Sequence, residues 1–159
     1  GSGNAGTTNI VRELGWRYGF LVFVLDALKG AAAVALGKWL AGNPGIAAAG
    51  FGVVIGHDFP VILNFRGGKG VATTVGIMLS LFSLPTLIAL ALLILVITLT
   101  HMVSLGSLIF VSSMAVFALV SDQPAALTIM TVGIAILAIL RHRSNIKRLL
   151  SGTENKLSY

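Results

Sequence analysis

Three stretches of this 159-residue chain hold most of the residues that could do chemistry. The first is Gly1-Ser2-Gly3-Asn4-Ala5-Gly6-Thr7-Thr8-Asn9, followed by Arg12. Its glycines let the backbone approach a ligand and turn N–H groups inward. A helix start just beyond would add its positive end, and the two together make an anion site. Ser2, Thr7, Thr8 and Asn9 can add hydroxyl and amide donors. Gly1, Gly3 and Gly6 match the spacing of a dinucleotide-binding turn, but no strand precedes them, which argues against that fold. The same composition also suits a plain polar terminus or linker.

The second stretch is Gly56-His57-Asp58-Phe59-Pro60, then Phe65-Arg66-Gly67-Gly68-Lys69-Gly70-Val71-Ala72-Thr73. Three glycines surround a lysine where a helix begins. Backbone donors, an ammonium and a positive helix end can then face one phosphate. It is not a nucleotide-binding P-loop: Leu63 stands where the first glycine would be, and Gly70 follows Lys69 where magnesium needs Ser or Thr. His57 and Asp58 are adjacent, so on a helix they do not face each other, and each reads as a local contact. The plainer alternative is a basic loop lying on lipid headgroups. The third stretch runs from Arg141-His142-Arg143-Ser144-Asn145 through Lys147-Arg148 to Gly152-Thr153-Glu154-Asn155-Lys156. At helical spacing His142 and Asn145 share a face, and Arg141, Asn145 and Arg148 form a stripe. Arginine can hold phosphate bidentately, and histidine can donate to it or take a proton. Basic helices beside membranes also arise from orientation and anionic lipid alone.

These stretches must be positioned by something, and the rest of the chain says what. Hydrophobic residues make up 56%, charged residues 10%, and the mean hydropathy is +0.96. That is far too apolar for a water-soluble domain or a disordered chain. The net charge of +6 has no soluble basic face to sit on, so nucleic acid is not expected as a partner. No cysteine is present, which excludes disulfides, thiolate zinc sites and a thioester intermediate. The apolar runs are rich in Leu, Ala, Val and Ile without strand alternation, so they read as helices. We expect an all-α polytopic bundle with spans near 18–40, 45–55, 71–83, 86–98, 104–120 and 125–140, the last continuing as a basic helix to about residue 150. Asn43-Pro44-Gly45, Pro85 and Asp122-Gln123-Pro124 mark breaks. Asp26 and Lys29 lie three apart in the first span and are expected to pair there, the alternative being that they line a polar cavity.

Six crossings bring four segments to one side: the N-terminal stretch, the loop at 56–70, the link at 98–104 and the C-terminal stretch. That side holds nine of the eleven basic residues, against Glu13, Asp58 and Glu154. The other side keeps Lys38 and Asp122. Excess Lys and Arg marks the rich side as cytoplasmic. Ser104 falls in the 98–104 link and completes the polar face, although most serines so placed are helix caps.

Taken together, GSGNAGTTN with Arg12, GHDFP with FRGGKGVAT, and HRSNIKRLLSGTENK resemble the three signature segments of the bacterial acyl-phosphate:glycerol-3-phosphate acyltransferase family. LDALKG at 25–30 and VSL at 103–105 are similar to it as well. The resemblance runs from Gly1 to Lys156, so residues 1–159 read as a single membrane-embedded acyltransferase domain. It implies an enzyme of the bacterial inner membrane with its site at the cytoplasmic face. It implies transfer of a fatty acyl group from acyl phosphate to the 1-hydroxyl of glycerol 3-phosphate, giving lysophosphatidate and phosphate, the first step of phospholipid synthesis. Seven spans characterise the family; its first helix has no counterpart here, so six are expected. Arg66 stands where lysine is common. No metal or cofactor is expected.

On that reading Gly1, Gly3, Asn4, Gly6, Thr7, Thr8 and Asn9 would hold the donor phosphate together with Gly67, Gly68 and Gly70. Ser2 and Lys69 would stabilise charge. Arg12, His142 and Asn145 would hold glycerol 3-phosphate, with Ser104, Arg148 and Glu154 beside them. The hydroxyl proton would pass to His142 or to a donor phosphate oxygen. One rival is a small transporter or channel for phosphate-bearing solutes, which would need polar groups along a path to the Lys38 side. Another is a structural subunit whose basic face binds anionic lipid.

Overall fold

The computed structural model describes residues 5–157, and every regular element in that range is helical. The order is α1 (Thr7–Leu14), α2 (Trp16–Asp58), a 3-10 turn (Val61–Leu63), α3 (Val71–Leu81), α4 (Ser83–Thr100), α5 (Val103–Val120), α6 (Ala125–Arg141) and α7 (Arg143–Leu150). Ser2, Gly1, Gly3 and Asn4 lie outside the described residues.

α2 is a hairpin, not a rod. Ala41 and Gly42 leave helical geometry, with Gly42 at φ 60°, and two arms, 16–40 and 43–58, fold together. Gly37 and Gly45 make this possible: a Cβ on either would strike the other's backbone. The expected first two spans are these two arms, but the reversal sits at Ala41–Gly42. Pro44 falls in the first turn of the second arm, where a missing N–H costs nothing. Pro85 is a parallel case. The chain breaks at Phe82, whose φ is −136° and ψ 60°, and Pro85 sits inside the first turn of α4. α6 does not continue straight into α7; the axis bends by 61° at His142.

The α2 hairpin, the α3–α4 pair and the α5–α6 pair each leave one end of the bundle and return to it. α4 and α5 have 18 residues apiece, about 27 Å at 1.5 Å per residue and close to the apolar thickness of a bilayer. α3 has 11 residues, about 16 Å, and is the shallow member. The core joins Val34, Ile46 and Val54 of α2 to Val75, Ile77 and Met78 of α3, Phe110 and Met114 of α5, and Met130 and Ile134 of α6. Gly76 lets α3 press on the α2 backbone at Ala27, and Gly50 receives Met130. Small residues at crossings serve membrane helices because lipid removes the hydrophobic drive between them. The outer face is apolar: Trp39 is 80% exposed and Val120 78%. Hydroxyls within the helices bond back one turn, as Thr86 does to the Phe82 carbonyl and Thr131 to that of Leu127. The protein is therefore an integral membrane helix bundle.

Candidate active site

The four segments that the span count places on one side are tied together at one end of the bundle. Gly6, the N-cap of α1, stands against the Gly68 Cα, where an added Cβ would sit at van der Waals distance. Lys69 donates through Nζ to Asn145 Oδ1. Arg141 Nη2 donates to the carbonyls of Gly67 and Gly68 at 3.3 and 2.9 Å. Arg12 donates to the Asn155 carbonyl at 3.2 Å, and the Leu157 N–H to that of His101 at 2.8 Å.

Glu154 is the hub of the far side. It accepts from Ser104 Oγ at 3.0 Å, Asn145 Nδ2 at 2.7 Å and Arg148 Nε at 2.9 Å. Its carboxylate is therefore occupied by protein donors. It orients Ser104, Asn145 and Arg148, and next to an anionic ligand its own charge would repel. Burial works to raise the Glu154 pKa, but the hydrogen bonds from Asn145, Ser104 and Arg148 outweigh it and hold the group below the ordinary carboxylate range.

The glycine loop differs in detail from a simple cradle. The N–H groups of Gly67 and Gly68 donate to the carbonyls of Asp58 and His57 at 3.3 and 3.2 Å. A Cβ at 67 would strike the α2 backbone, and one at 68 the His57 ring. These two glycines are thus needed for packing onto the end of α2, and their amides do not face a ligand. Gly70, at φ 70°, turns the chain into α3. The N–H groups of that first helical turn have no partner within the helix, and with the Lys69 ammonium they are donors that could face an anion. Two hydroxyls at these helix starts, Thr7 Oγ1 and Thr73 Oγ1, are buried without a hydrogen-bond partner. Thr8 and Asn9 lie in the first turn of α1. Asn9 also lines a hollow of about 500 Å³ with Ala5, Ile10, the 62–64 turn and Arg66.

His142 is buried, and its Nδ1 lies 2.7 Å from the Ala138 carbonyl. A carbonyl only accepts, so Nδ1 carries the proton and Nε2 is the nitrogen left for a ligand. His57 and Asp58 indeed point apart. His57 Nδ1 meets Lys29 Nζ at 2.6 Å and Asp26 Oδ1 at 3.4 Å, while Asp26 and Lys29 pair at 2.5 Å. The expected Asp26–Lys29 pair is thus a three-member cluster that also braces the α2 hairpin. Arg141 was legible only as part of a basic stripe; nothing in its spacing signals that it reaches the glycine loop.

Burial lowers the Lys69 pKa from the ordinary 10.5 to about 8; Glu154 opposes this, and Arg148, Arg12 and Arg141 add to it. The ammonium is charged below that value and neutral above. If its charge serves the site, kcat/KM should fall above about pH 8; a flat profile to pH 10 would count against Lys69. Stability should move the other way. The cost of burying the charge is fully present below pH 8 and is relieved as pH rises toward 10.5, so the melting temperature should not follow the activity down.

Residues 1–152 match the family model described as glycerol-3-phosphate acyltransferase. The chain belongs to the glycerol-3-phosphate acyltransferase family. Among curated relatives of that name, the protein of a Thermoanaerobacter species is 50% identical over 157 residues, covering 99% of this chain and 79% of the relative. That of Clostridioides difficile is 45% identical over 163 residues, with 99% and 79% covered. The crystal structure of PlsY, an integral membrane glycerol 3-phosphate acyltransferase, in its glycerol 3-phosphate form superposes with a TM-score of 0.94 at 37% identity, covering 99% of this chain and 80% of that one. Its lysophosphatidic acid form gives 0.93 at 36% identity. The protein is thus an acyltransferase of the membrane.

Proposed function

We propose that the protein transfers a fatty acyl group from acyl phosphate to the 1-hydroxyl of glycerol 3-phosphate, releasing lysophosphatidate and inorganic phosphate. One observation carries this: two helix starts and the cations Arg12, Lys69 and Arg148 gather at a single end of an apolar bundle. Both reactants are phosphorylated, and one carries an acyl tail that suits the lipid-facing helices. In this reading the end rich in Lys and Arg is the cytoplasmic one, and the membrane is the bacterial inner membrane.

Acyl phosphate is already activated, so the protein's task is positioning and charge stabilisation. The glycerol hydroxyl attacks the acyl carbon, the C–O bond to phosphate breaks, and the electron pair leaves with phosphate. Lys69 and the start of α3 take the growing negative charge. Arg12, His142 and Asn145 hold the glycerol 3-phosphate. The hydroxyl proton goes to a phosphate oxygen of the donor, because a backbone carbonyl stands behind His142 where a catalytic histidine would have a carboxylate. Ser2 and the residues at 1, 3 and 4 complete the donor-phosphate site in this reading. No covalent enzyme intermediate forms.

The test is the protein in lipid nanodiscs with acyl phosphate and labelled glycerol 3-phosphate. Labelled lysophosphatidate and phosphate in equal amounts are expected. Folded protein that forms neither would end the proposal, and product formed only with an acyl thioester would correct the donor.

A further inference from the structure

We propose that Arg141 and Asp58 form a clasp that positions the Lys69 loop, acting on the reaction through Lys69 and not by contact with a substrate. The proposal rests on the acyl-transfer reading only for its kinetic consequence. Arg141 ends α6, and its guanidinium meets three things at once. Nη2 donates to the Gly67 and Gly68 carbonyls, Nε lies 3.8 Å from Asp58 Oδ2, and the guanidinium carbon lies 4.8 Å from the centre of the Phe59 ring. Asp58 is 0% exposed, and neither of its carboxylate oxygens has a hydrogen-bond partner. A carboxylate buried without hydrogen bonds is costly, and a nearby guanidinium is what offsets it.

The clasp explains how a glycine-rich loop can be rigid. Two consecutive residues are fixed on both sides. Their N–H groups donate to the Asp58 and His57 carbonyls of α2, and their carbonyls accept from Arg141 of α6. Lys69 is the next residue, and its ammonium reaches Asn145, four residues beyond Arg141. The α6–α7 corner thus holds Lys69 at its backbone and at its tip. Arginine is required because a planar guanidinium can stack on a ring while its edges serve carbonyls and a carboxylate; a lysine ammonium is a point charge without that plane.

A double-mutant cycle tests this. In Arg141→Lys, kcat per folded molecule should fall about 10- to 100-fold, the scale of a roughly 1 Å misplacement, with the KM for glycerol 3-phosphate nearly unchanged. The double variant Arg141→Lys/Lys69→Ala should be no slower than Lys69→Ala alone, since nothing is left to position. Losses that multiply, or an unchanged kcat in Arg141→Lys, would overturn the clasp. Amide hydrogen exchange needs no catalysis. The Gly67 and Gly68 amides should exchange at least about tenfold faster in Arg141→Lys and in Asp58→Asn, while the core of α5 stays protected. Unchanged exchange refutes the proposal. Should Arg141→Lys fail to fold, Asp58→Asn carries both measurements. Absence of lysophosphatidate from the unmodified protein would sink the acyl-transfer reading, and the exchange experiment would still decide the clasp.

Discussion

Lys69→Ala is expected to lower turnover by about 100- to 1,000-fold, the usual cost of removing one charge-stabilising donor from a preorganised site. The side chain has its ammonium in a half-buried setting, bonded to Asn145 and beside the positive start of α3. There a charge is felt more strongly than in water. Both the leaving phosphate and the carbonyl oxygen gain negative charge as the acyl group moves, so the loss should fall mainly on kcat. The fold should survive. Asn145 keeps its bond to Glu154, and removing a partly desolvated ammonium relieves a cost. The measurement is initial rate together with the thermal midpoint in the same detergent. A variant with near-normal kcat would remove Lys69 from the site. Arg143→Ala, exposed on α7, should stay within about twofold as a surface change.

The bundle and the convergence of its polar ends could be read from the chain because both follow from counting. Six apolar runs, α3 only 11 residues among them, imply alternation, and alternation places residues 56–70, 98–104 and 141–157 beside the first segment. The details missed were those set by contacts rather than by period. Pro44 and Pro85 look like breaks in sequence, yet each is harmless in a first helical turn, and the real breaks fall at Gly42 and Phe82. The bend at His142 has no proline or glycine to announce it. Gly67 and Gly68 look like phosphate-cradle residues by composition. Only the approach of His57 and Asp58 shows that their small size serves packing and that their amides are taken. Glu154 was legible as a member of the third stretch, but its three donors come from α5 (Ser104) and α7 (Asn145 and Arg148), and no local pattern shows Ser104 reaching it.

Glu154→Ala should be the most damaging change in the C-terminal stretch, lowering activity by about 100-fold or more and loosening residues 151–157 over the site. The carboxylate gathers Ser104, Asn145 and Arg148, and hydrogen bonds to a charged group are each worth about 1.5–3 kcal/mol. Arg148 is about one-third exposed, so its share is screened; Ser104 and Asn145 are buried and would be left unsatisfied. Asn145 then loses the partner that fixes its amide, and its Oδ1 no longer presents a steady acceptor to Lys69. Glu154→Gln separates charge from shape. It can still accept from Ser104 or Asn145, but it offers Arg148 a neutral oxygen or an N–H donor facing a donor. An intermediate loss is therefore expected, near tenfold in kcat on the scale of about 1.4 kcal/mol. A glutamine variant as active as the parent would show that the charge is dispensable. An alanine variant with full activity and an unchanged melting point would show that the hub has no part in assembling the site.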